Sequence, residues 1–492
     1  MTRIARASLI IAFFFGVDKI LGLLRQILFN RQFNAVERDI FFVSNNIPDL
    51  LSALISGGAL GMALIPVLSE HLEAKGRQEA WALFSRILNL AFLVTAAISL
   101  VIILLAEPLV RYLIAPGFAD PARWALTASL MRLDLLAILI FSISGLVMAG
   151  LQANQHFLTP AMAPPMYNLG QILGITVLSR WFGIYGMVLG VILGALLHLG
   201  IQVPALLRYG FRWRPAIGLS DPGVRQVLVL MGPRVLSMLS LHFYFLARDR
   251  FASFYQEGGI SALNNGWFIM QLPETLIGTA IAIALLPSLA EFVTRGEEQA
   301  FRETIQRALR VMLALALPSA AILAAGIRPL VQIVFNFEAQ ETEMVVWATR
   351  AFLLGLVGHC WLEVGVRSWY ARQNARIPLL GALFQISLYL PVAMLLSQAI
   401  GHTGLALADT IAFTSQALLL LWLLNRRHPG ALNVGSTLLR SLGAAALGGV
   451  ITYLGVTYLP FSEILSTFAA LAAGGLVCLP FILPELRLLL RL

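Results

Sequence analysis

Residues able to do chemistry concentrate between Gly16 and Ser52, GVDKILGLLRQILFNRQFNAVERDIFFVSNNIPDLLS. There Asp18, Lys19, Arg25, Arg31, Glu37, Arg38, Asp39 and Asp49 interrupt otherwise apolar sequence. Ionisable side chains at membrane depth are costly, so they face a bundle interior or a water-filled cavity. Asp18 and Arg25 are seven residues apart, about two helical turns, and share a helix face with Gly22 between them. This spacing supports two chemistries. One is a polar cavity wall for an anionic substrate; the other is a self-neutralising ion pair that only ties helices together.

Further polar residues within apolar stretches are Arg132, Asp134, Arg234, His242, Gln271, His359, Glu363 and Arg367. Glu363 and Arg367 stand at i,i+4 and can pair along one helix. Arg132 and Asp134 are two apart, do not share a face, and need separate partners. His242 and His359 read as core histidines, and Arg248-Asp249-Arg250 as side chains that snorkel from a span end. No Gly-rich phosphate loop, HExxH or Cys/His ligand cluster occurs, and no nucleophile–base–acid set can be assembled. Catalysis, a metal and a cofactor therefore have no support. Guanidinium pairs bidentately with phosphate, so the arginines point to an anionic head group. A diphosphate-linked lipid fits both the basic cavity and the apolar helix surfaces.

The elements that must position these residues are membrane helices. Of 492 residues, 59% are hydrophobic and 12% charged, against about 25% charged in soluble domains. Fourteen apolar spans are expected, near 7–31, 40–68, 81–106, 124–151, 158–180, 183–206, 223–247, 259–290, 303–326, 342–370, 377–400, 403–425, 436–458 and 463–484. The fold class is an all-α polytopic membrane protein. The first span reads as a retained helix, with no small-residue cleavage site after it. The largest loops, 207–222 and 328–341, are too short to fold as domains. Alternate loops carry roughly twice the Lys and Arg of the others, which places both termini in the cytoplasm. The net charge of +9 is thus a topology signal and implies no nucleic-acid partner. Cys360 and Cys478 lie in apolar spans and read as buried thiols.

A repeat organises the spans. MALIPVLSEHLEAKGRQEAWALFSRIL at 62–88 resembles IALLPSLAEFVTRGEEQAFRETIQRAL at 283–309, matching Pro66 with Pro287 and Glu70 with Glu291. Glu107-Pro108-Leu109-Val110 matches Arg328-Pro329-Leu330-Val331 in the same register. Six spans precede the second copy, so the repeats are parallel, related by an axis along the membrane normal. The expected organisation is an N-terminal lobe at 1–215, a C-terminal lobe at 216–430 and two additional helices at 431–492. Prolines 48, 66, 233, 273 and 287 fall within spans, where a lost backbone hydrogen bond permits a kink.

On these motifs the sequence resembles the MurJ (MviN) family. KILGLLRQ at 19–26, RDIFFVSNNIPDLL at 38–51 and GALGMALIPVLSEH at 58–71 carry the likeness. Ala115-Pro116-Gly117-Phe118-Ala119-Asp120, Pro160-Ala161-Met162-Ala163-Pro164, Met231-Gly232-Pro233, Leu286-Pro287-Ser288-Leu289 and Tyr370-Ala371-Arg372-Gln373 continue it through the chain. The resemblance implies two six-helix lobes plus a C-terminal helix pair, as in the multidrug/oligosaccharidyl-lipid/polysaccharide exporter superfamily. It implies translocation of lipid II, an undecaprenyl-diphosphate-linked glycan lipid, to the outer leaflet of a bacterial inner membrane by alternating access. Membrane lipids and cell-wall synthesis proteins are the implied partners.

Carried over residue by residue, Arg25 falls on a cavity arginine and Asp39 on the acidic residue of the second helix. Lys19 replaces a cavity arginine, keeping its charge but not its planar fork. Ser52 and Gly57 stand where the family has an arginine and often a glutamate, and Phe268 and Gln271 replace an arginine and a glutamate before Pro273. Arg234 is additional and supplies a compensating charge. The expected substrate-binding set is therefore Lys19, Arg25, Asp39 and Arg234. The alternatives are an exporter of another lipid-linked glycan or amphiphile, and a non-transporting membrane scaffold.

Overall fold

The computed structural model describes residues 3–55, 59–430 and 432–489, and within them every side chain except those of 3–9, 233, 234, 236, 237 and 489. No strand occurs among these residues, and the chain falls into two compact units, Met1–Phe254 and Tyr255–Leu492.

The first unit holds α1 (Arg3–Gln32), α2 (Ala35–Ile55), α3 (Ala59–Ala74), α4 (Arg77–Pro108), α5 (Pro121–Ala153), α6 (Leu158–Leu173), α7 (Ser179–Phe182), α8 (Ile184–Gly200), α9 (Val203–Arg208) and α10 (Pro222–Ala252). Two long helices start on the same signal. Asp120 and Asp221 are N-caps whose carboxylates accept from the first free amides, each followed by proline at the first helical position. Asp221 also pairs with Arg86, fixing the start of α10 against α4. α10 packs on α2 and α3, so by contact it lies in the first unit. The repeat in the sequence sets a different boundary, before this helix.

Backbones touch where glycines face each other. A Cβ on Gly170 or Gly174 would strike the main chain of α8 at Gly194 or Gly190, so only glycine permits this α6–α8 approach. The second half of that span, Gly174–Leu178, is a π-helical turn, and others follow Pro108 and Pro273, at Leu109–Ile114 and Thr275–Thr279.

The second unit holds α11 (Gly259–Glu274), α12 (Ala280–Arg295), α13 (Glu298–Phe335), α14 (Ala339–Leu354), α15 (Leu356–Ala371), α16 (Arg376–Arg427), α17 (Thr437–Tyr458) and α18 (Glu463–Leu489). α13 continues to Phe335, so the loop expected at 328–341 is mostly helix; its charged Arg328 pairs with Glu343 of α14. α14 and α15 meet at 45°. α16 is two helices joined at Ile400 and Gly401, the latter at φ 59°, ψ −140°, a conformation that favours glycine.

Among the described residues, nine helices are long and apolar enough to cross a membrane, and the bent α14–α15 pair makes a tenth. The remaining expected spans coincide with α1, the α6–α7 segment, α10 and the second half of α16. Both cysteines are buried, as expected. α17 and α18 form a hairpin against α13, with Ala314, Ile322, Ala444, Cys478 and Ile482 in its core. Its base is an ionic knot. Glu485, 1% exposed, accepts from Thr437 Oγ1 at 2.8 Å, Arg440 at 2.5 Å and Arg310 at 3.4 Å.

Candidate functional site

The polar wall is built where α1 lies along α6. Asp18 and Arg25 do share a face, but no ion pair joins them among the described residues. Each instead meets an amide on α6: Asn168 Nδ2 donates to Asp18 Oδ1 at 2.8 Å, and Arg25 donates to Gln171 Oε1 at 3.2 Å. Asn168 and Gln171 are three residues apart, and the glycine contact of α6 with α8 holds that face in place. Amides orient both charges without cancelling either one. Tyr167, Asp18 and Asp49 are the electrostatic neighbours of the guanidinium. Asp49 is exposed, while Arg25 and Asp18 are half-buried.

Three of the four expected residues have described side chains. Arg25 sits in the wall. Lys19 is exposed, with its ammonium 5.0 Å from the Phe15 ring centroid. Asp39, 5% exposed, is buried in the first turns of α2, whereas Asp49, ten residues further along, reaches the neighbourhood of Arg25. The side chain of Arg234 lies outside the described residues, as does Gly57. Ser52 is half-buried, Phe268 is half-buried and Gln271 is exposed.

Several polar residues behave differently from their sequence reading. Arg248 and Asp249 do not snorkel. They are 1% and 2% exposed and pair at 2.9 Å, and Asn46 of α2 donates to Asp249 at 3.0 Å. Arg250 caps the π-helical turn instead, donating to the carbonyls of Tyr112 and Leu113. The charged pair stays inside the bundle because each charge faces its opposite and Asn46 adds a further donor to the carboxylate. Arg38 likewise closes the end of α1 by donating to the Asn30 carbonyl at 2.8 Å. Arg132 donates from Nε to the Ile103 carbonyl at 3.1 Å, which leaves Asp134 to find another environment.

In the second unit Glu363 and Arg367 pair along α15 as their spacing suggested. His359 is in the core, yet it has an acidic partner: Nε2 lies 3.2 Å from Asp409 Oδ2, with Trp267 and Phe413 against the ring. Glu274, directly after Pro273, meets Thr279 Oγ1 at 3.2 Å. Sequence reasoning missed Asn168, Gln171 and Asp409. The available signal was two amides at i,i+3 after Pro164-Pro165, and a lone acid inside LALADTIAF.

The model of the family "MurJ: Lipid II flippase MurJ" matches residues 32–471. A lipid II flippase MurJ of Burkholderia cenocepacia is 29% identical over 440 residues, 86% of this chain and 84% of the relative. A probable lipid II flippase MurJ of Bdellovibrio bacteriovorus is 28% identical over 420 residues, 84% and 80% respectively. Among solved structures, a lipid II flippase MurJ in an inward closed conformation superposes with TM-score 0.84 at 22% identity, covering 98% of this chain and all of that one. An inward-facing multidrug resistance MATE family transporter of the MOP superfamily follows at TM-score 0.73 and 14% identity, covering 84% and 95%. These two likenesses concern the fold.

Proposed function

Because the chain belongs to the lipid II flippase MurJ family, we propose that it carries lipid II from the inner to the outer leaflet of a bacterial inner membrane. The cargo is an undecaprenyl-diphosphate-linked glycan lipid, moved by alternating access for cell-wall synthesis. The observation that carries this reading is Arg25. It lies on α1, within the first expected span, and is held by the neutral amide of Gln171, not by a carboxylate in hydrogen-bond range. Its fork therefore keeps the charge and the geometry that a diphosphate takes bidentately. Lys19, six residues or about one and two-thirds turns earlier, adds a second cation. Asp39 supports from within α2, and Arg234 on α10 supplies the additional charge. The repeat lobes at 1–215 and 216–430 are the moving parts in this reading. The helices of 431–492 add apolar surface for the lipid tail, and both termini are cytoplasmic. Cell-wall synthesis proteins on either side of the membrane supply and consume the cargo.

Complementation tests it. A strain depleted of its own lipid II flippase is expected to grow on this protein, and lipid II to co-purify with it. Arg25→Ala is expected to abolish rescue and Arg25→Lys to restore part of it. Full rescue by Arg25→Ala would remove the site and leave the function; failure of the unaltered protein at normal expression would remove the function. One observation favours a different lipid-linked glycan as cargo. Phe268 and Gln271 leave the segment before Pro273 without the arginine and glutamate found in the family pattern. The co-purifying species decides between the two.

A further inference from the structure

Asp134 is the fourteenth residue of α5, about 20 Å along the helix from its start. It is 3% exposed, and its Oδ1 is fully enclosed with no hydrogen-bond donor. No ion pair reaches it among the described residues. The nearby arginine of its own helix is turned away, with Nε of Arg132 on the Ile103 carbonyl.

The charged and titratable groups on the elements packed around α5 do not neutralise it. Its electrostatic neighbours are Asp49 on α2, of the same sign, and the Tyr167 phenol on α6. Arg25 stands near Asp49 and Tyr167 but is committed to Gln171. On α8, His198 bonds to Ser144, ten residues further along α5. On α3, His71 bonds to the Val67 carbonyl, and Arg86 of α4 pairs with Asp221. An ionised carboxylate enclosed without a counter-charge, one of its oxygens lacking any donor, is strongly disfavoured against its neutral acid. A hard cation would need a cage of about six oxygens. No group of three or more acidic, histidine or cysteine side chains able to hold a metal occurs among the described residues.

We propose that Asp134 is a proton-binding site inside the first unit, neutral in this conformation and ionised when helix movement opens it to water. On opening, the O–H bond of the acid breaks and the proton passes to water; on closing, water returns it. The transport cycle thereby acquires a proton-dependent step whatever lipid is carried. Packing alone does not call for an acid at this point of the fold: in the register that matches Arg132 with Arg350, 218 positions apart and each bonded to a carbonyl of the preceding span, Asp134 falls on Phe352, a buried phenyl ring.

The test uses the full chain in vesicles and needs no substrate. Dicyclohexylcarbodiimide labels neutral carboxylic acids in apolar surroundings. Mass spectrometry is expected to find the adduct on Asp134 at neutral pH, falling as pH rises. Infrared spectra are expected to lose one neutral-acid carbonyl band in Asp134→Asn. Three results would overturn the proposal: no adduct on Asp134 in the unaltered chain, an unchanged infrared spectrum in Asp134→Asn, or protection from labelling by sodium at constant ionic strength. The adduct is read on the unaltered protein, so the proposal stays testable if the variant fails to fold. Failure of lipid II transport would leave these readouts unaffected.

Discussion

The two repeats share a skeleton and exchange their polar cores. In the first unit Arg132 donates to the Ile103 carbonyl at 3.1 Å; in the second, Arg350 donates to the Ala324 carbonyl at 3.0 Å. Each arginine ties the fourth span of its repeat to the third. Gly183 and Gly401 open the sixth span of each repeat in the same conformation, φ 55°, ψ −135° and φ 59°, ψ −140°. Three residues later, a Cβ on Gly186 or Gly404 would strike main chain seven positions back, at Ser179 or Ser397. In this register, 218 positions apart, Asp134 falls on Phe352, Phe141 on His359 and Val191 on Asp409. The first unit keeps an isolated acid where the second has a ring, and the second keeps a His–Asp pair where the first is apolar. Elements that set backbone geometry are held in duplicate, while the acid Asp134 and the His359–Asp409 pair are each found in one unit only. That division marks the polar groups as functional candidates more firmly than burial does.

The comparison can be broken by exchanging residues across it. Phe352→Asp puts an acid into a core that offers it no opening and should cost about 3 kcal/mol, seen as a lower melting temperature in detergent. A native-like melt would mean the second unit accommodates an acid as readily as the first. Arg132→Ala and Arg350→Ala should each cost about 2 kcal/mol by the same assay, because each removes a charge-assisted bond to a helix carbonyl. Unequal losses would show that the two anchors are only superficially alike. The double exchange His359→Phe with Asp409→Val installs the first unit's residues in the second. Replacing a buried pair by apolar groups should leave stability within about 1 kcal/mol, so a large loss would make the pair architectural.

The smallest effect concerns His428, outside the spans, where Nδ1 lies 2.9 Å from Glu298 and Arg372 also reaches that carboxylate. Burial, then the Arg372 charge, pushes the His428 imidazole below its usual value, with Glu298 opposing. A depressed value means the folded state favours the neutral ring. Its contribution is whole above about pH 6.5 and fades as pH falls through the lowered value. Melting followed against pH should show a slight acid-side loss that His428→Gln flattens.

Legibility in the sequence followed the same line. Apolar spans are local signals, and the helices appear where they predict. The Asp18–Arg25 face was also legible, because seven residues is a geometric statement about one helix. What that face meets was not. Asn168 and Gln171 are neutral, barely disturb the hydropathy of their span, and reach α1 from some 150 residues away. Arg248-Asp249 failed for a related reason: a pair near a span end looks like an interfacial charge until Asn46 is known to stand beside it. Asp39 and Asp49 differ only in where α2 turns them, which depends on its neighbours and not on its own pattern.

The knot at the base of the C-terminal hairpin sets a schedule for biogenesis. Arg310 is synthesised 175 residues before its partner Glu485. At ordinary rates of synthesis, α13 therefore waits about 10 to 35 seconds in the bilayer with that arginine unpaired. Until α18 is made, Arg310 lacks the carboxylate that draws it to the hairpin, so docking of α13 against that helix can only follow synthesis of α18.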